Sequence, residues 1–188
     1  MVDLKKQIEG LASHDPAARD AAAEQIYIAG SILARRAARE WLKDREFTSL
    51  VEADPKITIG IAVGRELFKQ IREANGSPRL LDVPPDQDAE EFELHFTGIS
   101  LDVLTSNAPC GGGAIARYLA RFGEGIQQVE FLCKDVDQAT QILRERFELE
   151  PVYPETRPGA DGTRVNFFLA TTPEKEKVLI EFYERPQS

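Results

Sequence analysis

The sequence predicts an α+β fold: two strand–helix–strand–strand–strand (βαβββ) modules that pack as a pair, preceded by a helical N-terminal extension. Three observations carry this. The first fifty residues are rich in alanine, arginine and glutamate and have helical punctuation. Apolar–polar alternation begins only after Asp54-Pro55, and from Gly125 onward the order of strand and helix patterns repeats. A module of this kind leaves one apolar sheet face open and buries little alone, so two should pack together. The expected organisation is residues 1–54 as the extension, 55–106 as the first module, 107–124 as a linker with a short helix, and 125–188 as the second module.

In the extension, Asp15-Pro16 reads as an N-cap followed by proline at the first helical position, and Ala17 to Trp41 carries Ile26, Ile32 and Leu33 as its larger apolar residues. Gly30 in that run costs about 1 kcal/mol relative to alanine, which implies a kink or a close approach by another element. The extension reads as a helical hairpin that either covers the main domain or forms the seam of a homodimer.

Ile57, Ile59, Ile61 and Val63 alternate with Thr58, Gly60 and Ala62, the mark of a half-buried strand. Leu67, Phe68 and Ile71 recur at helical spacing until Asn75-Gly76. Strands are expected at Arg79 to Val83, Phe92 to Phe96 and Ile99 to Leu104, the last two joined by the Thr97-Gly98 turn. Asn107 to Gly113 is a glycine-rich connection, and Ala114 to Phe122 a short helix. Then Ile126 to Cys133 reads as a strand and Val136 to Phe147 as a helix. Pro151 to Pro154, Arg164 to Leu169 and Val178 to Tyr183 read as strands.

Among the 188 residues, 42% are apolar, and 32 acidic against 23 basic side chains give a net charge of −9. No basic stripe exists for a phosphate backbone or an anionic lipid surface, so neither nucleic acid nor membrane is an expected partner. The start Met1 to Lys6 lacks a secretion pattern, apolar runs are too short to span a bilayer, and Cys110 and Cys133 form no CxxC pair. These features predict a cytoplasmic protein.

The second module resembles a family. Gly125-Ile126-Gln127-Gln128-Val129, the turn Arg157-Pro158-Gly159-Ala160-Asp161-Gly162, the strand Arg164-Val165-Asn166-Phe167-Phe168 and the ending Val178-Leu179-Ile180-Glu181 are similar to the second half of a methylmalonyl-CoA epimerase. Ile59-Gly60-Ile61-Ala62-Val63 is similar to the family's opening strand. The family lies in the vicinal oxygen chelate superfamily, with glyoxalase I, extradiol dioxygenases and bleomycin resistance proteins. The resemblance spans about residues 56 to 184. It implies a glyoxalase-like cup of paired curved sheets, with metal ligands on the first and last strand of each module. Carried over by position, the usual histidines fall at Thr58 and Gln128, the last-strand Glu or Gln of the first module at Asp102, and the final glutamate at Glu181. Only Glu181 keeps the usual residue.

Imidazole suits zinc, nickel and copper, so the missing histidines remove the nitrogen donors. Asp102, Gln128 and Glu181 form an oxygen set better matched to Mg²⁺, Mn²⁺ or Ca²⁺, or to no metal. Strand alternation extends the same face to Ser100 and Leu104, to Glu130 and Leu132, to Arg164, Asn166 and Phe168, to Leu179 and Tyr183, and to Glu93 and His95. Thr58, Gln128, Glu130, Arg164, Asn166, Phe168, Tyr183 and His95 are therefore the expected ligand contacts. The resemblance implies a carboxylate that removes the proton beside a thioester carbonyl, which makes Glu181, with Glu93 as a second, the expected acid–base carboxylates. Clustered carboxylates away from water need compensation by a cation, Arg164 or protons.

Three functions stay open. The first is a small-molecule-binding protein with a degenerate, metal-poor acidic cup. The second is an isomerase or lyase of the epimerase type that uses Glu181 with an oxygen-ligated divalent cation, and the third is a non-catalytic assembly or regulatory protein. Glyoxalase I and dioxygenase chemistry are disfavoured, because both need the missing ligands.

Overall fold

A computed structural model describes residues 3–51 and 57–186. The boundary expected at Asp54-Pro55 lies outside the described residues. The fold is α+β, as expected, and the chain divides into two compact units, Met1–Gly30 with Thr58–Gln127, and Ser31–Ile57 with Gln128–Ser188. The helical extension is thus shared between the units.

The first unit begins with α1 (Leu4–Gly10), whose N-terminus is capped by Asp3, and with the first part of α2 (Pro16–Ala37). Asp15 caps α2 as expected, its carboxylate accepting from the Ala17 N–H at 3.0 Å. Strand β1 (Ile57–Ala62) is followed by α4 (Arg65–Ala74), after α3 (Arg45–Val51) of the other unit; β2 (Ala89–Phe96) and β3 (Ile99–Ser106) then form a hairpin across Gly98, which turns at φ 74°. The strand order is β2-β3-β1, with β3 antiparallel to β2 and parallel to β1.

Alternation sorts this sheet cleanly. Ile59, Ile61, Phe92, Leu94, Leu101 and Val103 are buried on one face, where Phe92 meets Phe68 of α4 edge-on at 4.8 Å. On that face α2 passes so close that a methyl on Gly30 would lie 2.5 Å from Ile59 Cδ1. The close approach, one of the two expectations for Gly30, is therefore the reason for the glycine. Asn75 at the end of α4 ties the extension down by donating to Leu11 O at 2.9 Å.

Residues 79–83, expected as a strand, are not one. A backbone bond from Leu81 N–H to Glu91 O at 3.0 Å links them to the sheet, and Pro78, Pro84 and Pro85 around them lack the donors a ladder needs.

The second unit holds β4 (Gly125–Leu132), α6 (Val136–Phe147), the two-residue β5 (Arg157–Pro158), β6 (Arg164–Thr171) and β7 (Lys177–Glu184), in the order β4-β7-β6-β5. Its core is aromatic. Phe182 meets Trp41, Phe47, Phe131 and Phe168 at centroid distances of 6.3, 5.6, 5.5 and 5.7 Å. Trp41 and Phe47 come from the extension, so that part of it covers the sheet here, as the hairpin reading expected. The α3 end is held to α6 by Arg146, which pairs with Asp44 at 2.7 Å and with Glu46.

Residues 151–154 were also expected as a strand but make only a single bridge, Pro151 to Phe168. The proline at each end of Pro151-Val152-Tyr153-Pro154 leaves too few N–H donors for more.

Candidate functional site

In the first unit, register settles which side chains share the face opposite the apolar core. Ser100 lies beside Thr58 and His95; Asp102 lies beside Gly60 and Glu93; Leu104 lies beside Ala62 and Glu91. Thr58, Asp102, Glu93 and His95 therefore share one face, as alternation predicted. One end of this face is covered by α5 (Ala114–Phe122), which brings Ile115, Tyr118 and Leu119 onto Ala62, Leu104 and Ala89. Tyr118 is anchored by donating to Ile126 O at 2.7 Å, and burial raises its hydroxyl pKa.

Two acids on this face are buried, Asp102 at 6% and Glu91 at 8% exposure. Glu91 was missed in the sequence, although the step of two from Glu93 points to it. Glu93 instead stands at the surface, 48% exposed, and pairs with His95 Nε2 at 3.0 Å. His95 Nδ1 lies 3.4 Å from the Ser100 hydroxyl.

The second unit carries a tighter cluster. Parallel pairing of β4 with β7 sets Glu130 beside Glu181 and Leu132 beside Tyr183. The Gln128 side-chain amide donates to Glu130 Oε1 at 3.1 Å and to Glu181 Oε2 at 2.6 Å, joining two strands through one group. Gln128 and Glu130 are each 6% exposed and Glu181 is half-buried. Antiparallel pairing places Phe167 beside Glu181, Val165 beside Tyr183 and Leu169 beside Leu179. The result is a polar centre of one amide and two carboxylates with an apolar surround.

That register corrects three expected contacts. Arg164, Asn166 and Phe168 pair with Glu184, Phe182 and Ile180, so they lie on the opposite face from Glu181. Arg164 bridges Asp137 and Glu184, at 2.5 and 2.6 Å, and the two carboxylates raise its pKa. The Thr156 hydroxyl and the Arg164 guanidinium hold the Asp137 carboxyl below the usual carboxylate range. Asn166 is fully buried and lies 3.4 Å from the Thr140 hydroxyl, and Phe168 belongs to the aromatic core. Phe167, missed in the sequence, takes the place expected for Phe168.

The donor set does not fit an imidazole-ligated metal. Within the second unit, Gln128 turns its NH₂ donors toward both carboxylates, where a cation would need acceptors. Among the described residues there is no group of three or more His, Cys, Asp or Glu side chains placed to hold a metal ion. What the cluster can do is accept a proton, or hold a hydrogen-bond donor or a cationic group.

A separate cavity of about 400 Å³ in this unit is lined by Leu50, Val51, Leu132, Cys133, Lys134, Glu184 and Arg185, and by none of Gln128, Glu130 or Glu181. Burial pushes the Cys133 thiol up to about 12, so it is unreactive there. Among the described residues, no helix is long and apolar enough to cross a membrane.

No family model matches the chain, and no curated protein is significantly similar to it in sequence. Solved structures do match. The methylmalonyl-CoA epimerase of Mycobacterium tuberculosis is 26% identical with a TM-score of 0.56, the match covering 69% of this chain and 87% of that one. A variant of the Streptomyces coelicolor methylmalonyl-CoA epimerase, solved in complex with 2-nitronate-propionyl-CoA, is 24% identical with a TM-score of 0.56, over 69% of this chain and 96% of that one. A hypothetical protein from Bacillus halodurans is 24% identical with a TM-score of 0.56, over 70% and 94%.

Proposed function

We propose, from the vicinal oxygen chelate fold that this chain shares with methylmalonyl-CoA epimerases, that it is a small-molecule-binding protein whose ligand is held by Gln128, Glu130 and Glu181 rather than by a histidine-bound metal. The observation that carries the reading is the Gln128 amide between two carboxylates. A neutral group that donates to both orders the pair without neutralising either carboxylate, which suits a ligand with an ammonium, guanidinium or other donor group. Phe167, Leu132, Leu179 and Tyr183 surround those acceptors with surface suited to the ligand's apolar part. Thr58, Asp102, Glu93 and His95, which share a face of the first unit, are proposed as ligand contacts of that unit by itself.

A thermal-shift titration with a panel of organic amines and guanidines tests this reading. The expected result is saturable stabilisation that Glu181→Gln removes. No stabilisation by any member, or stabilisation indifferent to Glu181→Gln, would overturn it.

The second reading is an epimerase, favoured by the similarity to the M. tuberculosis enzyme and by the glutamate at position 181. Glu181 would take the proton beside a thioester carbonyl, the C–H pair moving into the enolate, and a proton from water would be added to the opposite face, leaving Glu181 to lose its proton to solvent. Incubating the protein with methylmalonyl-CoA in D₂O decides it. Deuterium entering C2 at a rate abolished by Glu181→Gln would establish the epimerase reading; no exchange above the buffer rate would dismiss it.

A further inference from the structure

The cavity of about 400 Å³ in the second unit has no part in the ligand site proposed above, since none of Gln128, Glu130 or Glu181 lines it. Among the described residues the two have Leu132 in common, and the charged groups of each are its own. Leu50 and Val51, at the end of α3, come from the N-terminal extension, outside the stretch that resembles the epimerases. The volume suits a small organic molecule.

Hydrogen bonds fix the walls. The Lys134 backbone N–H donates to Leu50 O at 3.0 Å and its Nζ to Ser49 O at 2.8 Å, so one residue satisfies two carbonyls in the last turn of α3. The Cys133 N–H donates to Tyr183 O at 2.8 Å, which ties the end of β4 to β7. A cavity held in this way loses little freedom when a ligand enters.

Charge selects the occupant. The charged lining residues are Lys134, Glu184 and Arg185. Glu184 is already answered, its Oε2 accepting from the Val136 N–H at 2.8 Å and its Oε1 from Arg164 at 2.6 Å. Asp135, beside Lys134 in sequence, has its carboxylate on the Gln138 N–H at 2.9 Å as the cap of α6. Lys134 gives a donor to a neutral carbonyl, which leaves its charge uncompensated by that bond. Arg185 adds a second cation, with a guanidinium fork that matches a carboxylate. In a chain of net charge −9, this wall is locally positive.

We propose that the cavity binds a small carboxylate with an aliphatic body, its headgroup held by Lys134 and Arg185 and its chain lying against Leu50, Val51, Leu132 and Cys133. Its charge preference is the opposite of that of the Gln128 cluster, and it does not rest on the reading of that cluster.

Isothermal titration calorimetry of the full chain with octanoate, and with octanamide as the neutral analogue, tests the proposal. Octanoate should bind saturably with a Kd of about 1 mM or below, and octanamide at least about 10-fold more weakly. Hexanoate should be weaker than octanoate by roughly fourfold per methylene removed, because the chain is buried. Arg185→Gln and Lys134→Gln should each weaken octanoate about 10-fold. Arg185 is exposed, so its variant should keep the wild-type melting temperature and decides the matter even where Lys134→Gln, which loses the bond to Ser49 O, fails to fold. A photoreactive octanoate carrying a diazirine should label Leu50 or Val51. No saturable binding up to about 10 mM, equal binding of octanamide, an Arg185→Gln protein that binds like wild type, or labelling confined to residues outside the cavity would each overturn the proposal.

Discussion

Replacing Gly30 with alanine should destabilise the protein, although the same change in an exposed helix stabilises by about 1 kcal/mol. The added methyl would lie 2.5 Å from Cδ1 and 2.8 Å from both Cγ1 and Cγ2 of Ile59. Both branches of the side chain are struck, at three atoms, so no rotation of χ1 clears them. Ile59 is fully buried, with Leu101 beside it in the sheet, and has nowhere to move. Overpacking of this kind costs roughly 1–3 kcal/mol, and after the helix-propensity gain of about 1 kcal/mol the net loss is up to about 2 kcal/mol. For a chain of this length that is a fall in melting temperature of up to about 8 °C. The assay is urea denaturation of four proteins: wild type, Gly30→Ala, Ile59→Ala and the double variant. Ile59→Ala alone should cost about 2–5 kcal/mol, and in that background Gly30→Ala should become stabilising. A Gly30→Ala protein more stable than wild type would refute the close approach of α2 to β1.

Gln128→Leu should cost about 2–4 kcal/mol by urea denaturation, because the Glu130 and Glu181 carboxylates each lose a hydrogen bond to a buried amide; a loss under about 0.5 kcal/mol would show that the amide does not tie them. Asp44 caps α3 through the N–H groups of Glu46 and Phe47, both at 3.0 Å, and the Phe47 N–H first and Arg146 second hold its carboxyl below the usual carboxylate range. A lowered folded pKa contributes stability above the unfolded value of about 3.9 and loses it as pH falls through the folded value. Asp44→Ala should therefore cost about 1 kcal/mol at pH 7, and the gap to wild type should shrink at pH ~3; a gap independent of pH would contradict the carboxylate's role. With Cys110 exposed and Cys133 buried, a disulfide-exchange reagent at pH ~8 should titrate one thiol quickly and the second only after denaturant; two fast thiols would contradict the burial of Cys133.

How much was legible in the sequence varied with how cleanly a strand alternates. In Ile57-Thr58-Ile59-Gly60-Ile61-Ala62 one face is branched aliphatic and the other small or polar, so the face of Thr58 and Asp102 followed directly. In Arg164-Val165-Asn166-Phe167-Phe168-Leu169 both faces carry large apolar residues and the polar ones mislead. Asn166 looks like a ligand contact, yet it is fully buried, its Oδ1 accepting from the Phe167 N–H at 2.9 Å. Only the cross-strand partners, Phe182 for Asn166 and Glu181 for Phe167, settle the orientation. The Gln128 amide was not legible as a bridge, because only Glu130, two residues on along the same strand, is a local partner, while Glu181 is brought in by strand pairing 53 residues away. The role of Trp41 and Phe47 as cover for Phe182 likewise depends on a long-range contact that helical periodicity does not encode.

The most direct test of a ligand site without a histidine-bound metal is metal analysis of protein purified without chelator, followed by thermal-shift titration of the same sample with Mg²⁺, Mn²⁺, Ca²⁺, Co²⁺, Ni²⁺, Zn²⁺ and the amine panel. The account predicts no stoichiometric metal, no saturable shift with Co²⁺, Ni²⁺ or Zn²⁺, and a shift of about 5–10 °C with an amine ligand at 100 times its Kd. Stoichiometric metal, or stabilisation by one of these cations that both Gln128→Ala and Glu181→Ala remove, would contradict it.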